Sequence, residues 1–449
     1  MRYDRITDAI GNTPLVRIDP AVHGLRHIDL FAKLEMLNPF GSVKDRAAWN
    51  MARAGLPGAE ADGSQIVELS SGNTAKALAV IAGMHGLTFK SVTNRMRIPE
   101  TKELLLLLGA EIEELPGQSE CLDPTDTEDP LTLFHQALAD SETPLLHTDQ
   151  YFNPRNSAAH FEGTGPEIVA DLDGRAPDYF IACVGTAGSS TGVAGALRAH
   201  RPDVEVVGLV AAKSDFIPGI RTRDEVHEVG LFDPDTYDTL ATVDSGQAIE
   251  GMVTLIRRCG LLAGPTGGAA YHGALRHLRE ADARLAEQRD DGPPAERRTA
   301  VFIVCDRVEG YLSYIRQRRP DLLGDTARTP NTLAGLSDAD VAAAPAVTVD
   351  EARTWIEGAD PLIVDLRSTY AYNALHLAGS VNITDEILGE LLRAGLPFAR
   401  SRPVLLACPV GEQSARYAAL LTRMGHPDAR SLTGGIVAWR DAGAPLTRD

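Results

Sequence analysis

Between about Ile66 and Val304, short apolar runs alternate with segments long enough for helices. IVEL leads through a small-residue turn into TAKALAVIAGMHG, and YFIACV leads through another into STGVAGALRAH; VEVVGLV and TAVFIVC are further apolar runs. Such runs, rich in branched residues and bounded by glycine-containing turns, predict strands, and the longer segments between them predict helices. The alternation predicts an α/β architecture, a parallel sheet with helices on both faces. It stops near YLSYIRQRRP. The next stretch, GDTARTPNTLAGLSDADVAAAPAV, is polar and rich in Ala and Pro with little to bury, which predicts a linker over about residues 321–345. The front domain is then residues 1–320 and a smaller α/β domain is 346–449, where PLIVDLR and RPVLLAC read as strands and the chain from Ser414 as a helix. LAEQRDDGPPAERR predicts an exposed loop in the front domain.

Composition narrows the function. A formal net charge of −19 opposes binding to nucleic acid or to an anionic membrane, while leaving room for local basic pockets that take small anions. The chain has no apolar run of the roughly 20 residues that a spanning helix needs. Its start, MRYDRITDAIGNTPLVRI, lacks an apolar segment behind a basic one, so a secretory signal is not expected and a cytoplasmic location is. Five cysteines, Cys121, Cys183, Cys259, Cys305 and Cys408, fall without the spacing of a zinc site or a disulfide framework. Reduced thiols and small-molecule chemistry, with no metal, are the expectation.

Two strand-to-helix turns in the front domain share a design. Ser70, Ser71, Gly72, Asn73 and Thr74 open one helix; Gly185, Thr186, Ala187, Gly188 and Ser189 open another. Free N–H groups and the positive dipole end at a helix start suit an anion, and glycine allows the backbone to approach a phosphate closely. Taken alone, each turn reads first as structural, and Lys44 in NPFGSVKDR as a solvated surface lysine.

In combination these segments resemble the cysteine synthase family, fold type II pyridoxal-phosphate enzymes, over about residues 1–315. GNTPLVRI matches the family's opening, NPFGSVKDR its cofactor-lysine motif, SSGNT its substrate-carboxylate loop and DQYFNPRN a further substrate-side segment; GTAGSSTG matches the phosphate cup and LLAGPTGGAA the segment beside the pyridine nitrogen. The resemblance implies a fold of two parallel-sheet subdomains and pyridoxal 5'-phosphate held on Lys44 as a Schiff base, Lys44 then serving as the base at Cα. It implies that Gly185, Thr186, Ala187, Gly188 and Ser189 bind the cofactor phosphate and Asn73 its ring hydroxyl. Ser70, Ser71, Thr74 and Gln150 would hold the amino-acid carboxylate, and Thr266 would face the ring nitrogen. A hydroxyl there, in place of a carboxylate, makes the ring a weaker electron sink and favours β-elimination followed by addition of a nucleophile. It also implies a homodimer. Three departures leave the leaving group and nucleophile open: Ala187 replaces a usual glycine, Ala75–Lys76 replace a small-then-apolar pair, and AAKSDFIPGIRTR lacks the family's glycine-rich loop. Arg221 and Arg223 in that segment are either partners for an anionic leaving group or nucleophile, Arg221 being the candidate substrate ligand, or solvated surface residues.

The second domain sets Cys408 between an apolar strand and a helix, in VLLA, CPVGEQ, SARYAALLTRMG. Loop N–H groups at a helix start stabilise a thiolate, whereas a cysteine ending an apolar strand is as readily buried and inert. This domain resembles the rhodanese family over about residues 346–449. Asp365 and Arg367 supply its DxR signature; His376, Gly379, Asn382 and Ile383 its H-x-x-G-x-x-N-I; the loop its C-x-x-G-x-x-S; and LTGGIVAWRDAGAPL its closing pattern. The resemblance implies persulfide chemistry at Cys408, with Gln413 beside Glu412 in place of an arginine that would attract thiosulfate. A fused sulfur carrier next to a β-replacement enzyme predicts local sulfur supply. A free linker of this length reaches on the order of 25–30 Å. Three alternatives stand beside a cysteine-forming synthase fed through Cys408: a cysteine desulfhydrase running sulfur the other way, a diaminopropionate-type synthase using an amine, and a tail domain that only docks.

Overall fold

The computed structural model describes residues 2–93, 96–114, 144–213, 215–287, 297–323 and 332–448, with positions 134, 138 and 141 besides. The chain divides into two compact units, Met1–Glu113 with Asp140–Ser313, and Glu114–Ala139 with Tyr314–Asp449.

The first unit holds two sheets. Its strands are β1 (Leu15–Arg17), β2 (Ile28–Lys33), β3 (Gln65–Leu69), β4 (Phe89–Thr93), β5 (Glu111–Glu114), β6 (Leu145–His147), β7 (Tyr179–Cys183), β8 (Glu205–Ala211), β9 (Thr239–Val243) and β10 (Arg298–Ile303). The larger sheet runs β1-β2-β10-β7-β8-β9 and the smaller β5-β4-β3-β6. In the larger, only edge strand β1 is antiparallel to its neighbour; β2, β10, β7, β8 and β9 pair in parallel. The alternation along the sequence predicts one sheet of this kind; the structure distributes the runs over two, as the family resemblance implies.

These strands read as unbroken apolar runs because both faces are covered. On β10, Ala300 and Phe302 join a core with Ile181, Val207, Leu209 and Tyr271, while Val301 and Ile303 point into another with Phe180, Ala182, Val193 and Leu197. The helices Ser245–Cys259 and Pro265–Glu287 supply the first core, and Gly165–Asp171 and Gly188–His200 the second. In the smaller sheet, alanines let the Lys44–Ala52 and Asn73–Met84 helices pack closely: Ala48, Ala52, Ala75, Leu78 and Ile81 share a core with Ile66. Of the exposed loop predicted inside LAEQRDDGPPAERR, residues 288–296 lie outside the described residues. Its first residues finish the Pro265–Glu287 helix and Arg298 begins β10.

The second unit has a five-stranded parallel sheet of β11 (Ala346–Val347), β12 (Leu362–Asp365), β14 (Val381–Asn382), β15 (Val404–Ala407) and β16 (Ala429–Leu432), ordered β11-β16-β15-β12-β14. Two further short strands, β13 (His376–Leu377) and β17 (Leu446–Thr447), pair antiparallel. The helix expected from Ser414 begins at Glu412. Part of the expected linker is ordered against this unit. Leu333, Leu336 and Ala344 pack on the core around Leu388 and Tyr417, and Arg423 donates to the Thr332 carbonyl at 3.2 Å. The reach computed for a free chain over 321–345 is therefore an upper bound, and residues 324–331 lie outside the described residues.

Candidate active sites

Ligands of open α/β sheets sit beyond the carboxyl ends of the strands, and in the first unit the chemistry-bearing side chains collect there. Lys44 opens the Lys44–Ala52 helix, and its Nζ lies 3.2 Å from Thr186 Oγ1. Burial pulls the amine below its ordinary range, with Cys305 and Asp306 nearby opposing that shift. Gly185, Thr186 and Ala187 form the turn after β7, and Gly188 and Ser189 begin the 13-residue helix to His200. Neither glycine admits a side chain: a Cβ on Gly185 would stand 2.4 Å from the Gly219 carbonyl oxygen, and one on Gly188 2.0 Å from Asn156 Oδ1. Ala187, where the family pattern has glycine, adopts φ +60°, a left-handed backbone.

The turn after β3 faces the second cluster. Ser70 Oγ accepts from the Gly72 and Ala75 N–H groups at 3.4 and 3.2 Å, and Ser71 sits half-buried beside it. Thr74 Oγ1 donates to Gln150 Oε1 at 2.7 Å while Gln150 Nε2 donates to the Leu69 carbonyl at 2.8 Å, so these two candidates meet. Beneath them Glu68 is fully buried and accepts from Thr148 Oγ1 and the Gln150 N–H; burial raises its pKa to about 8. Arg221 lays its guanidinium 5.1 Å from the centre of the Tyr151 ring and donates to the Glu225 carbonyl at 3.3 Å. Arg223 is exposed and donates to the Leu240 carbonyl.

Thr266 and Asn73 converge on a residue that the sequence reading passes over. Asp306, just past β10 and 3% exposed, accepts from Thr266 Oγ1 at 2.9 Å, from Asn73 Nδ2 at 2.7 Å and from the Tyr311 hydroxyl. Burial raises the Asp306 carboxyl, against the pull of those hydrogen bonds, and pushes the adjacent Cys305 thiol up to about 12. The signal for Asp306, Cys305 and Tyr311 was their place at the carboxyl end of the TAVFIVC strand. Gly219 and Asn156 wall the glycine turn; Asn156 closes the DQYFNPRN segment singled out in the sequence, whereas Gly219 carries no signal that a single sequence reveals.

In the second unit Cys408 is 1% exposed and lies at the end of β15. Its sulfur accepts from the N–H groups of Gly411 and Ser414 at 3.2 and 3.4 Å, with Ser414 Oγ at 3.4 Å. The closing Gly434–Gly435 pair holds this loop: Gly435 has φ +59°, a Cβ there would lie 2.1 Å from the Cys408 carbonyl oxygen, and Ile436 N–H donates to that oxygen at 3.0 Å. The other signature residues build the frame. Arg367 forms a buried bidentate pair with Asp365, Asn382 Nδ2 donates to the carbonyls of both at 2.8 and 3.1 Å, and His376 stacks on Tyr372 at 3.9 Å between ring centres.

Residues 6–306 match the family described as pyridoxal-phosphate dependent enzyme, and residues 348–442 match the rhodanese-like domain. The chain belongs to the pyridoxal-phosphate dependent enzymes and carries a rhodanese-like domain. It is 32% identical to the cysteine synthase B of Pseudomonas aeruginosa over 70% of this chain and 97% of that protein. It is 38% identical to the N-(2-amino-2-carboxyethyl)-L-glutamate synthase of Ralstonia nicotianae over 69% of this chain and 88% of that protein. The crystal structure of an O-acetylserine dependent cystathionine beta-synthase from Helicobacter pylori superposes with a TM-score of 0.56 at 26% identity, covering 70% of this chain and 98% of that one. The chain is thus a pyridoxal-phosphate-dependent, cysteine synthase-like enzyme. Its residues fit the cofactor: a desolvated amine for an aldehyde stands beside the start of a 13-residue helix, whose N–H groups suit a phosphate. Among the described residues no helix is long and apolar enough to cross a membrane, no cluster of His, Cys, Asp or Glu is arranged for a metal, and Cys183, Cys259, Cys305 and Cys408 are free thiols.

Proposed function

We propose that the front domain, residues 1–320, catalyses β-replacement on an activated serine, O-acetyl- or O-phosphoserine. The product is cysteine or a related sulfur amino acid, and the sulfur arrives as a persulfide on Cys408 of the domain at 346–449. The observation that carries this reading is the Lys44 amine, desolvated and 3.2 Å from the Thr186 hydroxyl of the glycine turn. Bound pyridoxal phosphate supplies an aldehyde for an amine and a conjugated ring that accepts the electron pair left at Cα.

Lys44 would hold the cofactor's aldehyde and, as a neutral amine, would take the Cα proton of the substrate. Gly185, Thr186, Ala187, Gly188 and Ser189 would receive the phosphate, Asn73 the ring hydroxyl and Thr266 the ring nitrogen. Ser70, Ser71, Thr74 and Gln150 orient the substrate carboxylate; the Thr74–Gln150 contact supports their acting together. Arg221, whose guanidinium lies over the Tyr151 ring next to Gln150, would meet an anionic group on the substrate. At Cys408 the thiolate takes sulfane sulfur from a donor. A thiol reductant then releases it as hydrosulfide, itself ending as a disulfide, and hydrosulfide adds at Cβ. We infer a cytoplasmic homodimer.

A second reading replaces sulfur by an amine. The Ralstonia relative, 38% identical, is named for a glutamate bearing a 2-amino-2-carboxyethyl group on nitrogen, which supports weighing an amine nucleophile. One experiment separates the readings. Holoenzyme is offered O-acetylserine, O-phosphoserine or cysteine while cofactor absorbance is followed, then sulfide, a sulfane donor with reductant, or glutamate. Cysteine formed from a sulfane donor supports the first reading; an N-substituted glutamate as the sole product supports the second. Steady pyruvate and sulfide from cysteine alone would overturn both.

A further inference from the structure

Two hydroxyls stand behind the sulfur of Cys408. Ser414 Oγ lies 3.4 Å from Cys408 Sγ, 3.2 Å from the Gly411 carbonyl oxygen and 2.8 Å from Ser431 Oγ, which is itself 3.4 Å from that carbonyl. Ser414 belongs to the C-x-x-G-x-x-S pattern, whereas Ser431 comes from β16, paired beside β15, and lies outside every motif read from the sequence. Ser414 is 0% and Ser431 1% exposed, so bulk water serves neither hydroxyl. Each has one hydrogen to give. At 2.8 Å one of the two hydrogens occupies the contact between the oxygens, and the other is left for the sulfur or for the Gly411 carbonyl.

The charge on the sulfur selects between these arrangements. If Ser431 donates to Ser414, the Ser414 hydrogen is available to the sulfur; if Ser414 donates to Ser431, the remaining hydrogen goes to the Gly411 carbonyl and the sulfur receives no hydroxyl. A thiolate accepts more strongly than a neutral carbonyl, and a hydroxyl that donates to an anion becomes a better acceptor for the next hydroxyl in line. We propose that Ser431 is a positioning residue that acts through Ser414, donating to its oxygen so that the Ser414 hydroxyl is turned onto the Cys408 thiolate. The inference rests on Cys408 being the sulfur carrier proposed above. Once Cys408 holds a second sulfur, the negative charge lies on that outer atom, Sγ is a weak acceptor, and the Ser414 hydrogen turns back to the Gly411 carbonyl. The ionisable groups on the surrounding elements are Glu412, Arg416 and Tyr417 on the Glu412–Arg423 helix, the Asp365–Arg367 pair at the end of β12, Asp385 at the start of the Asp385–Ala394 helix, and Arg430, paired with Asp428, on β16. All of them remain when a serine is replaced, so a difference between serine variants reports the hydroxyls.

The test follows the thiolate ultraviolet absorbance of the full-length protein against pH, with the spectrum of Cys408→Ser subtracted. Ser414→Ala should weaken the Cys408 acidity constant about tenfold, the scale of losing a hydrogen bond to a charged group. Ser431→Ala should weaken it about threefold, because it removes the support of that bond and not the bond itself. Ser431→Thr, which keeps the hydroxyl, should restore the wild-type value, and Ser431→Ala added to Ser414→Ala should change nothing further. An unchanged constant in Ser431→Ala overturns the proposal, and so does an equal loss with and without the Ser414 hydroxyl, which would assign the effect to packing. Wild-type acidity in Ser414→Ala also overturns it, and this measurement decides the matter even where Ser431→Ala does not fold. If wild-type Cys408 gains no sulfur atom by mass from glutathione persulfide or thiosulfate, the sulfur-carrier reading falls, while the acidity constants still decide the hydroxyl relay.

Discussion

The two units solve opposite problems with the same geometric device. In the function proposed above, each sets its reactive residue at or just before a helix start, Lys44 as the first residue of the Lys44–Ala52 helix and Cys408 shortly before the Glu412–Arg423 helix. Lys44 must be neutral to react, and its surroundings withhold water from its charged form. Cys408 must be anionic to react, and its surroundings aim the N–H groups of Gly411 and Ser414 at the sulfur. Desolvation suppresses a charge that is unwanted, and convergent dipoles supply what a wanted charge would lose on burial. The difference follows from the chemistry that each atom performs.

The strongest way to break this comparison is to remove each nucleophile in turn. Lys44→Ala should lower β-replacement with free sulfide by about 10³-fold or more, the scale of losing a positioned base and covalent attachment. It should leave sulfane uptake by Cys408, followed by mass of the persulfide, unchanged. Cys408→Ser should do the reverse: turnover with a sulfane donor falls on the order of 100-fold while turnover with free sulfide stands. Loss of both activities in either single variant would show that the two sites do not act as separate nucleophiles.

A smaller effect sharpens the contrast in how the units bury acid groups. Asp365 is buried with Arg367 against it as a bidentate partner. Glu68 accepts from Thr148 Oγ1 and the N–H groups of Leu69 and Gln150, with the His147 imidazole 3.9 Å away, and burial raises its pKa from an ordinary 4.5 to about 8. A carboxyl raised on folding is protonated in the native state where the unfolded chain has lost its proton. Its stabilising contribution is complete below about 4.5 and is lost as pH climbs through about 8, on the order of a few kcal/mol across the window. Calorimetry should show the transition of the first unit falling over that range, and Glu68→Gln should flatten the fall. A pH-independent transition in the wild type would mean that Glu68 titrates normally.

Much of this was legible in the sequence for a definite reason. Buried parallel strands must be apolar on both faces, so YFIACV, VEVVGLV and TAVFIVC announce themselves. Helix starts that bind anions need small residues, so the turns at Ser70–Thr74 and Gly185–Ser189 do too. Position along one chain does not disclose contacts made across it: Asp306 meets Thr266 and Asn73 only because β10 lies between β2 and β7 in the sheet. The same holds for the stretch around Leu333 and Leu336. Its Ala- and Pro-rich composition reads as linker, yet a few apolar residues suffice to seat it on the second unit.

The smallest effect concerns the one place where the cup departs from its pattern. Ala187 is 2% exposed and caps the Gly188–His200 helix with φ +60° and ψ −12°. An L-residue pays roughly 1–2 kcal/mol to adopt that conformation, because its Cβ crowds the following carbonyl, whereas glycine adopts it freely but starts from a more disordered unfolded chain. The two terms oppose each other, and the steric one is the larger. Ala187→Gly should therefore stabilise the first unit by about 0.5–1 kcal/mol, seen as a rise in its calorimetric transition, and leave that of the second unit where it is. The Cys408 loop offers the internal control. Gly411 there has φ +91° with a Cβ position only 2.8 Å from the Gly434 nitrogen, so Gly411→Ala carries both the conformational cost and a clash. It should lower the transition of the second unit by more than Ala187→Gly raises that of the first. Equal and opposite shifts would mean that the backbone angle alone, and not the contact around it, decides which residue each turn accepts.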